Sequence, residues 1–273
     1  MNKISKHLLI LIRRFKHRQE LNKLSKIKND TLQNILSAYK ATKAITYDNE
    51  DIRSFSDCER YRQKLLSDNT QITYEIFSLD RKNSVKEICE KATSPQKWCQ
   101  FLYYMVKNIH DPRILEIGTN VGISGSYILE AIKEKEGGKL TTMEGLPQLC
   151  EISKQRFSEI VPNSKFEIIQ GLYENTFQRL MESAENYNLM FIDGNHKKTP
   201  TLQYFNSLKS NIGKIGVFVF DDIYWSRGMT EAWEIIKKNN EVNFSIDLYK
   251  QGIIIIDKDE PRKNMEFSLH LAY

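Results

Sequence analysis

Acidic residues end several apolar stretches of this sequence. Glu144 ends TTME, Asp193 ends FID, Asp221 and Asp222 end FVFDD, and Glu116 lies inside RILEIG. If these stretches are parallel strands, their carboxyl ends meet at one edge of a sheet, where such sheets bind ligands. Carboxylate oxygens are hard ligands, so Asp193, Asp221 and Asp222 are candidate ligands of Mg²⁺ or a similar ion. One acidic strand end is ordinarily a solvated cap, but five together indicate a binding site.

The glycines of RILEIGTNVGIS, residues 113–124, indicate a tight turn after a strand. Gly118 and Gly122 lack side chains, so the backbone there can bend sharply and approach a ligand. Their GxxxG spacing differs from the GxGxxG of dinucleotide sites, and the chain contains no GxxxxGK[ST]. A smaller, zwitterionic ligand is therefore favoured over a diphosphate, although a turn without a ligand would also explain the glycines. Ser124 is expected to cap the following helix.

Two further strand ends suit a nucleoside. Glu144 lies about 20 residues beyond the glycine turn, where an acidic side chain can accept both hydroxyls of a ribose. Gly171 ends the stretch IIQG and leaves room for a flat base because it has no side chain.

A candidate general base follows Asp193 in the stretch DGNHKK. His196 and Lys197 lie three and four residues after this aspartate. The ordinary pKa of histidine lies closer to neutral pH, so His196 is the better base, although a plain surface position is the common alternative. Three apolar or aromatic residues after the aspartate pair could wall an acceptor site or pack in the core: Tyr224, Trp225 and Met229.

Alternating strands and helices must position these residues. From residue 113 the sequence alternates apolar stretches with helical ones, beginning with RILEIG and SGSYILEAIKEKEGG. This alternation predicts parallel strands joined by right-handed crossovers, with helices on both faces of the sheet. The last two stretches, NFSIDLYK and GIIIID, predict an antiparallel hairpin because only QG separates them. Residues 95–109 predict a helix that starts with Pro95 and leads to the first strand.

The composition is that of an ordinary globular protein. The 273 residues are 40% hydrophobic and 27% charged, enough for one domain and an extension. The four cysteines are widely spaced and form no CxxC, so neither a zinc site nor a disulfide framework is indicated. A reducing cytoplasm is the simplest location.

The basic character of the chain belongs to its first 30 residues. They carry nine Lys and Arg against two acidic residues, whereas the whole chain has a net charge of only +5. The apolar run LLILI is too short for a membrane span, and no signal-peptide cleavage site follows it. A basic amphipathic helix is predicted, which could touch an anionic membrane or nucleic acid, or pack on its own domain or a second subunit. Residues 31–95 have a helical period and few strand signals.

Five ordered motifs together resemble those of the class I S-adenosylmethionine-dependent methyltransferases, in the branch of small-molecule O-methyltransferases. They are LEIGTNVGIS, TTMEG, IIQG, FIDGNH and FVFDDIYWSRGMTEAW, and the resemblance covers roughly residues 96–257. It implies a Rossmann-like, doubly wound α/β sheet of seven strands, mostly parallel, with an antiparallel strand from the C-terminal hairpin. The predicted domains are a helical N-terminal extension, 1–95, and a methyltransferase domain, 96–273.

The resemblance also implies roles in binding S-adenosylmethionine. Glu116 would contact the methionine amine, Gly118 and Gly122 would line the methionine part, and Ser124 could bond its carboxylate. Glu144 would hold the ribose hydroxyls. The remaining implied cofactor contacts are Thr119, Gly145, Gly171 and Leu172, of which the last two border the adenine, and Asp193.

The acceptor chemistry implied by the resemblance involves a metal and a base. Some sugar O-methyltransferases have Asp and then Asp-Asp where this chain has Asp193 and the pair Asp221 and Asp222, which implies Mg²⁺ bound by these three. Alternatively, Asp193 serves only the cofactor and one of the pair caps a helix. The catalytic lysine of catechol-type enzymes lies three places after the aspartate, where this chain has His196, so the candidate catalytic residues are His196, Lys197 and Asp193.

The sequence alone does not specify the methyl acceptor or the partners. A sugar hydroxyl, a phenol, or a lipid or glycan precursor would suit the site, and the N-terminal helices could cover it or form a homodimer. A nucleic-acid methyltransferase is disfavoured because the body of the chain is slightly acidic and has neither NPPY nor a Pro-Cys pair. A binding protein without activity is the other alternative. The predicted location is the cytoplasm, with residues 1–30 in possible contact with the inner face of a membrane.

Overall fold

The computed structural model describes residues 3–183 and 185–272, with side chains from residue 10 onward. Met1, Asn2, Ala184, Tyr273 and the side chains of residues 3–9 lie outside this description. The predicted amphipathic character of the tail is therefore tested only from residue 10, which leaves out the first two residues of LLILI.

The described residues form ten α-helices, three short 3-10 helices and ten strands. The helices are α1 (Lys3–Leu24), α2 (Asp30–Ala44), α3 (Asn49–Leu65), α4 (Val85–Ala92), α5 (Gln96–Lys107), α6 (Ile123–Ile132), α7 (Pro147–Ile160), α8 (Tyr173–Glu182), α9 (Lys198–Leu208) and α10 (Arg227–Lys237). The strands are β1 (Gln71–Thr73), β2 (Lys82–Ser84), β3 (Arg113–Ile117), β4 (Lys139–Glu144), β5 (Phe166–Gln170), β6 (Leu189–Ile192), β7 (Ile215–Phe220), β8 (Phe244–Asp247), β9 (Gly252–Asp257) and β10 (Met265–Ser268).

The chain divides into two compact units. We call Met1–Lys40 with Ala184–Tyr273 the terminal unit, and Ala41–Ser183 the central unit. The predicted domain boundary between residues 95 and 96 falls inside the central unit, so the division into 1–95 and 96–273 stays a prediction.

The central unit contains three parallel strands in the order β3-β4-β5. Their register places Glu116 beside Thr142, and Glu144 beside Gln170. Helices α3 and α5 both contact α6, which follows β3. Local signals start two of the helices, because Asp48 accepts from the amide of Asp51 at α3 and a capping box begins α4. The short antiparallel pair β1–β2 was not predicted.

The terminal unit contains five strands in the order β10-β8-β9-β7-β6. Strands β6 and β7 are parallel, whereas β9 runs antiparallel to both β7 and β8. All six residues of β9 are buried, as expected for a continuous apolar stretch in a covered sheet. Helix α1 contacts β10, and Ser226 caps α10 by accepting from the amide of Met229.

The predicted fold class is confirmed. Within each unit the strands from β3 to β10 run parallel to one another except β9, which is the antiparallel strand that the hairpin signal predicted. The count of seven strands omitted β10, since MEFS follows no helix and becomes a strand only by pairing with β8. Helix α5 begins at Gln96, with Pro95 as its cap. No helix among the described residues is long and apolar enough to span a membrane.

Candidate active site

The glycine turn of the central unit has the backbone conformation that glycine favours. Gly118 and Gly122 have φ values of 109° and 77°, where L side chains are strained. The amide of Gly122 donates to the carbonyl of Thr119 at 2.9 Å, which closes the turn. Gly122, and not Ser124 as predicted, is the N-cap of α6.

The Ser124 hydroxyl instead belongs to a buried network below the turn. It donates to Glu116 Oε1 at 2.5 Å, and the Thr142 hydroxyl donates to Glu116 Oε2 at 2.7 Å. The Thr119 and Thr142 hydroxyl oxygens are 2.6 Å apart. Glu116 has no exposed surface, so this network holds β3, the turn, β4 and α6 together. The predicted contacts of Glu116, Thr119 and Ser124 with the cofactor stay predictions.

Asn120 connects the glycine turn to the acidic strand end. Its amide donates to Glu144 Oε2 at 2.9 Å, and its side-chain amide donates to the carbonyl of Ala92 at 2.8 Å. The φ of Asn120 is 53°, a left-handed value that asparagine tolerates better than most residues. The turn is also held from α3, because the Tyr61 hydroxyl donates to the carbonyl of Val121 at 2.8 Å. We missed Asn120 in the sequence, although an asparagine between two glycines is a turn signal.

Glu144 is buried at the end of β4 and is held by backbone amides. Leu146 donates to its Oε1 and Asn120 to its Oε2, each at 2.9 Å. Burial raises the pKa of Glu144, and these amides oppose the shift because they stabilise the charged form. A carboxylate has about four acceptor positions, and the amides of Leu146, Asn120 and Gly145 occupy three of them, which leaves capacity for a hydroxyl of a ribose.

An aromatic residue from outside the predicted motifs lies over Gly145. A Cβ at Gly145 would come within 2.8 Å of Cζ of Phe77, so the absent side chain lets the ring approach the backbone. The β1–β2 segment that carries Phe77 is anchored on α7, where Gln148 accepts from the amide of Thr73 at 2.9 Å. No sequence motif predicted this contact, since it depends on where the segment docks.

The end of β5, the third strand of the central unit, also carries a glycine with a positive φ. Gly171 has a φ of 138°, and its amide donates to the carbonyl of Glu144 at 2.9 Å. Leu172 is the N-cap of α8. Glu144, Gly145, Gly171 and Leu172 therefore belong to neighbouring strand ends, as the predicted adenosine site requires.

In the terminal unit, a lysine joins the aspartate pair. Lys250 Nζ lies 2.8 Å from Asp221 Oδ2 and 2.9 Å from Asp222 Oδ1. Asp221 has a side chain only 3% exposed, whereas that of Asp222 is 29% exposed. Burial, and then the charge of Asp193, raise the pKa of Asp221, and Lys250 opposes this shift. Lys250 was missed because it follows the aspartates by 28 and 29 residues in no recognised motif.

His196 is paired with Asp193. Their Nε2 and Oδ1 atoms are 3.4 Å apart, and the histidine side chain is partly buried. Burial lowers the pKa of His196, but the hydrogen bond and charge of Asp193, with the charges of Asp222 and Asp221, raise it overall. Lys197 is exposed and precedes α9, where its carbonyl accepts from the amide of Thr201 at 3.1 Å. The geometry therefore favours His196 over Lys197 as a base.

The predicted metal ligands do not fit a divalent ion as they stand. Among the side chains of residues 10–183 and 185–272, no group of three or more His, Cys, Asp or Glu is arranged to hold a metal. The aspartates offer the right hard oxygen donors. However, the Lys250 ammonium already bridges Asp221 and Asp222, and a metal ion there would have to displace it.

Of the three candidate acceptor-wall residues Tyr224, Trp225 and Met229, Trp225 alone is exposed. Its side chain is 73% exposed, whereas Met229 and Trp233 are buried in the core. The Tyr224 hydroxyl donates to Asp247 Oδ2 at 2.6 Å and its ring stacks on Tyr249 with centroids 5.0 Å apart. Tyr224 therefore supports the turn that follows β8.

The chain is similar to known proteins in the segment that contains these strand ends. A family model described as "Methyltransferase domain" matches residues 115–223, which include the glycine turn, Glu144 and the aspartates. The predicted resemblance to the class I methyltransferases is confirmed. A curated relative of this methyltransferase-like chain, "Putative O-methyltransferase" of Mycobacterium sp. (strain JLS), is 35% identical over 88 residues, or 32% of this chain and 38% of the relative. This chain thus spans well under half the length of that relative.

Solved methyltransferase structures share the fold. An O-methyltransferase from Bacillus cereus in complex with SAH aligns with a TM-score of 0.53 and 20% identity, covering 62% of this chain and 84% of that one. The O-methyltransferase TomG from Streptomyces achromogenes, in complex with SAM, aligns with a TM-score of 0.51 and 15% identity, covering 77% and 90%. At these identities the alignments show that the fold is shared and nothing further.

Proposed function

We propose that this chain is an S-adenosylmethionine-dependent O-methyltransferase that acts on a hydroxyl group of a small molecule. The observation that carries the proposal is the arrangement around Asn120, which joins a positive-φ glycine turn to the buried carboxylate of Glu144. Both features lie in the segment that matches the methyltransferase domain. The SAH and SAM bound to the structural neighbours support the cofactor.

The central unit would bind the cofactor. Gly118 and Gly122 let the backbone approach the methionine part, while Glu144 accepts from a ribose hydroxyl and Gly171 with Leu172 borders the adenine. Glu116 stabilises the turn through Ser124 and Thr142. When bound, S-adenosylmethionine supplies a methyl group that is already activated on a sulfonium. The protein must therefore supply mainly positioning and a deprotonated acceptor.

The terminal unit would prepare the acceptor. A hydroxyl is a poor nucleophile, so a base must remove its proton. Asp193 holds His196 at Nε2, which leaves Nδ1 to take the proton from the acceptor hydroxyl. The electron pair of the broken O–H bond stays on the oxygen. Asp193 then stabilises the protonated histidine, as the carboxylate does in other catalytic carboxylate–histidine pairs.

Assistance by Mg²⁺, which the sequence predicts, gains no support from the described residues, because Lys250 bridges Asp221 and Asp222. A small-molecule acceptor is supported by the O-methyltransferase TomG, which is involved in tomaymycin synthesis. The two rival functions, methylation of nucleic acid and binding without catalysis, have no specific observation in their favour.

Contact of the N-terminal helix with a membrane or a second copy is a further part of the proposal. On α1, Phe15 is 87% exposed, and Leu11 and Ile12 are also exposed. Their i, i+1 and i+4 spacing places them on one side of the helix, and the exposed Arg14 and Lys16 flank them. Co-sedimentation with anionic vesicles, and sedimentation equilibrium without them, would separate the two partners, and Phe15→Glu should weaken whichever contact exists.

Calorimetric titration of S-adenosylhomocysteine into the purified protein tests the proposed function. We expect binding in the micromolar range, which Glu144→Ala abolishes and the exposed control Glu151→Ala retains. A mass-spectrometric screen of sugars and phenols for a methyl addition would then identify the acceptor. Absence of binding by the folded wild type would contradict the proposal.

A further inference from the structure

Lys250 takes the position that the sequence assigns to a metal ion. Its ammonium bridges Asp221 Oδ2 at 2.8 Å and Asp222 Oδ1 at 2.9 Å. The side chain of Lys250 is 22% exposed, so water screens this contact less than it screens a surface pair. A fixed positive charge therefore already offsets part of the negative charge that would otherwise attract a divalent cation.

The contacts of this cluster leave one acceptor and one donor unused. Asp221 Oδ1 is buried and has no hydrogen-bond partner among the described residues. An ammonium has three N–H donors, and the two aspartates engage two of them. Buried polar atoms without a partner are uncommon in folded proteins, and a catalytic role is one reason for which they are kept. A hydroxyl oxygen suits this place because it can accept the remaining N–H of Lys250.

The turn that carries Lys250 is held rigidly. Asp247 Oδ1 accepts from the amide of Tyr249 at 2.8 Å, and Asp247 Oδ2 accepts from Arg13 at 2.7 Å and from the Tyr224 hydroxyl at 2.6 Å. Arg13 is only 6% exposed and its guanidinium lies 5.5 Å from the ring centroids of Tyr224 and Tyr249.

The contacts that hold this turn cost free energy through backbone strain and unpaired buried nitrogens. We infer that the position of the turn matters for function. The φ of Tyr249 is 73°, a strained value for a residue with a side chain. Nε and Nη1 of Arg13 are buried without hydrogen-bond partners among the described residues. Helix α1 thus supplies a positioning residue, Arg13, to the turn that presents Lys250.

We propose that Lys250 is the cation of the acceptor centre and that methyl transfer by this protein needs no divalent metal. This inference rests on the proposed function. After His196 takes the proton of the acceptor hydroxyl, the negative charge that develops on the oxygen is stabilised by a hydrogen bond from Lys250. The lysine stays protonated throughout, and no electron is exchanged. A donor already in place for a developing oxyanion acts in the same way as an oxyanion hole.

Binding of Mn²⁺, followed by electron paramagnetic resonance, tests the inference without any turnover. The wild type should bind Mn²⁺ no more tightly than millimolar. Lys250→Met should bind it at least about tenfold more tightly, because this substitution leaves the hard carboxylate ligands without their cation. Lys238→Met, which removes an exposed lysine of the same unit, is the matched control and should behave as the wild type.

Wild-type binding in the micromolar range that Asp221→Asn abolishes would overturn the inference. So would equal Mn²⁺ affinity of Lys250→Met and the wild type. If Lys250→Met does not fold, the wild type and Asp221→Asn decide alone, since weak wild-type binding supports the inference and tight binding overturns it. Titration of S-adenosylhomocysteine runs in parallel, so a failure of the proposed function appears there and not in the Mn²⁺ spectra.

Turnover gives a second readout once an acceptor is known. EDTA should leave the wild-type rate unchanged, and Lys250→Met should lower the turnover number by about 10²-fold, the usual loss for an oxyanion donor. Added Mn²⁺ should restore part of that loss in the variant alone. Loss of wild-type activity in EDTA, restored by Mn²⁺, would overturn the inference.

Discussion

The glycine turn of the central unit and the acidic cluster of the terminal unit are built in different ways. Glu116 has partners that lie 8 and 26 residues away, on the helix and the strand that directly follow its own strand. Asp221 and Asp222 are instead bridged by Lys250 from a later hairpin, which is braced by Arg13, 234 residues before Asp247. A motif therefore describes the first region well, whereas the charge balance of the second depends on distant parts of the chain.

Loss of the base should have the largest effect and would show that the acidic cluster is catalytic. His196→Ala should lower turnover by about 10²–10⁴-fold, the usual contribution of a general base. Affinity for S-adenosylhomocysteine should stay within about twofold, because a general base acts on the acceptor. His110→Ala, at an exposed histidine, is the control. Unchanged turnover in His196→Ala would remove this residue from the mechanism.

The pH dependence of the same reaction tests whether His196, paired with Asp193, is the base. Asp193 raises the pKa of His196 above its ordinary value, and only the deprotonated form can act as a base. The rate should therefore rise with pH through a midpoint above about 6.5, the ordinary value for histidine. Asp193→Asn should move the midpoint to lower pH, since it removes the charge that favours the protonated form. A midpoint that does not move would contradict the proposed pair.

Substitution of a glycine by alanine in the glycine turn should have the next largest effect, on stability. It tests the central unit, the other region of the comparison. In Gly122→Ala, the new Cβ lies 2.9 Å from Ser153 Cβ and 3.0 Å from Phe157 Cε1, at a φ of 77°. We expect a loss of about 3 kcal/mol in the free energy of unfolding, from strain and overpacking. Urea denaturation measures it, and Gly213→Ala is the control because its Cβ meets no atom within 4 Å. Equal stability of both variants would show that the turn is not constrained.

Glu144→Gln should have a smaller effect, on cofactor affinity. We expect about tenfold weaker binding of S-adenosylhomocysteine, since hydrogen bonds to a charged group contribute about 1.5–3 kcal/mol. Burial raises the pKa of Glu144, so wild-type affinity should fall as the pH is lowered, beginning above the range of an ordinary glutamate. The glutamine variant should lack this dependence. Calorimetry at several pH values measures the affinity and its pH dependence. If the affinity of the wild type and of Glu144→Gln fell equally at low pH, Glu144 would be excluded as the cause of the pH dependence.

Trp225→Ala should have the smallest effect on folding. Because this side chain is 73% exposed, the free energy of unfolding should change by less than about 0.5 kcal/mol. If Trp225 lines the acceptor site, the KM of the acceptor should rise severalfold. Phe15→Ala, also at an exposed aromatic residue, should change neither quantity. An unaltered KM in Trp225→Ala would leave the tryptophan without a role in acceptor binding.

The sequence by itself determined the sheet, its antiparallel strand and the glycine turn. These features follow from local patterns, because alternating apolar strands and helices allow few topologies and a positive φ favours glycine. The positions of Glu144, Gly171 and the aspartates at strand ends were predictable for the same reason. The local pattern also misled at Ser124, whose hydroxyl donates to Glu116 although a serine beside a turn is a common cap.

Only the tertiary structure decided what surrounds these carboxylates. Whether Asp221 and Asp222 face a metal or a lysine depends on which side chain the β8–β9 turn delivers, and no spacing in the sequence specifies that turn's position. The contact of Phe77 with Gly145 and the contact of Arg13 with Asp247 arise in the same way. The interaction energy of charges and aromatic rings depends on distance in space, and distance in space between residues far apart in sequence is set by packing of the whole chain.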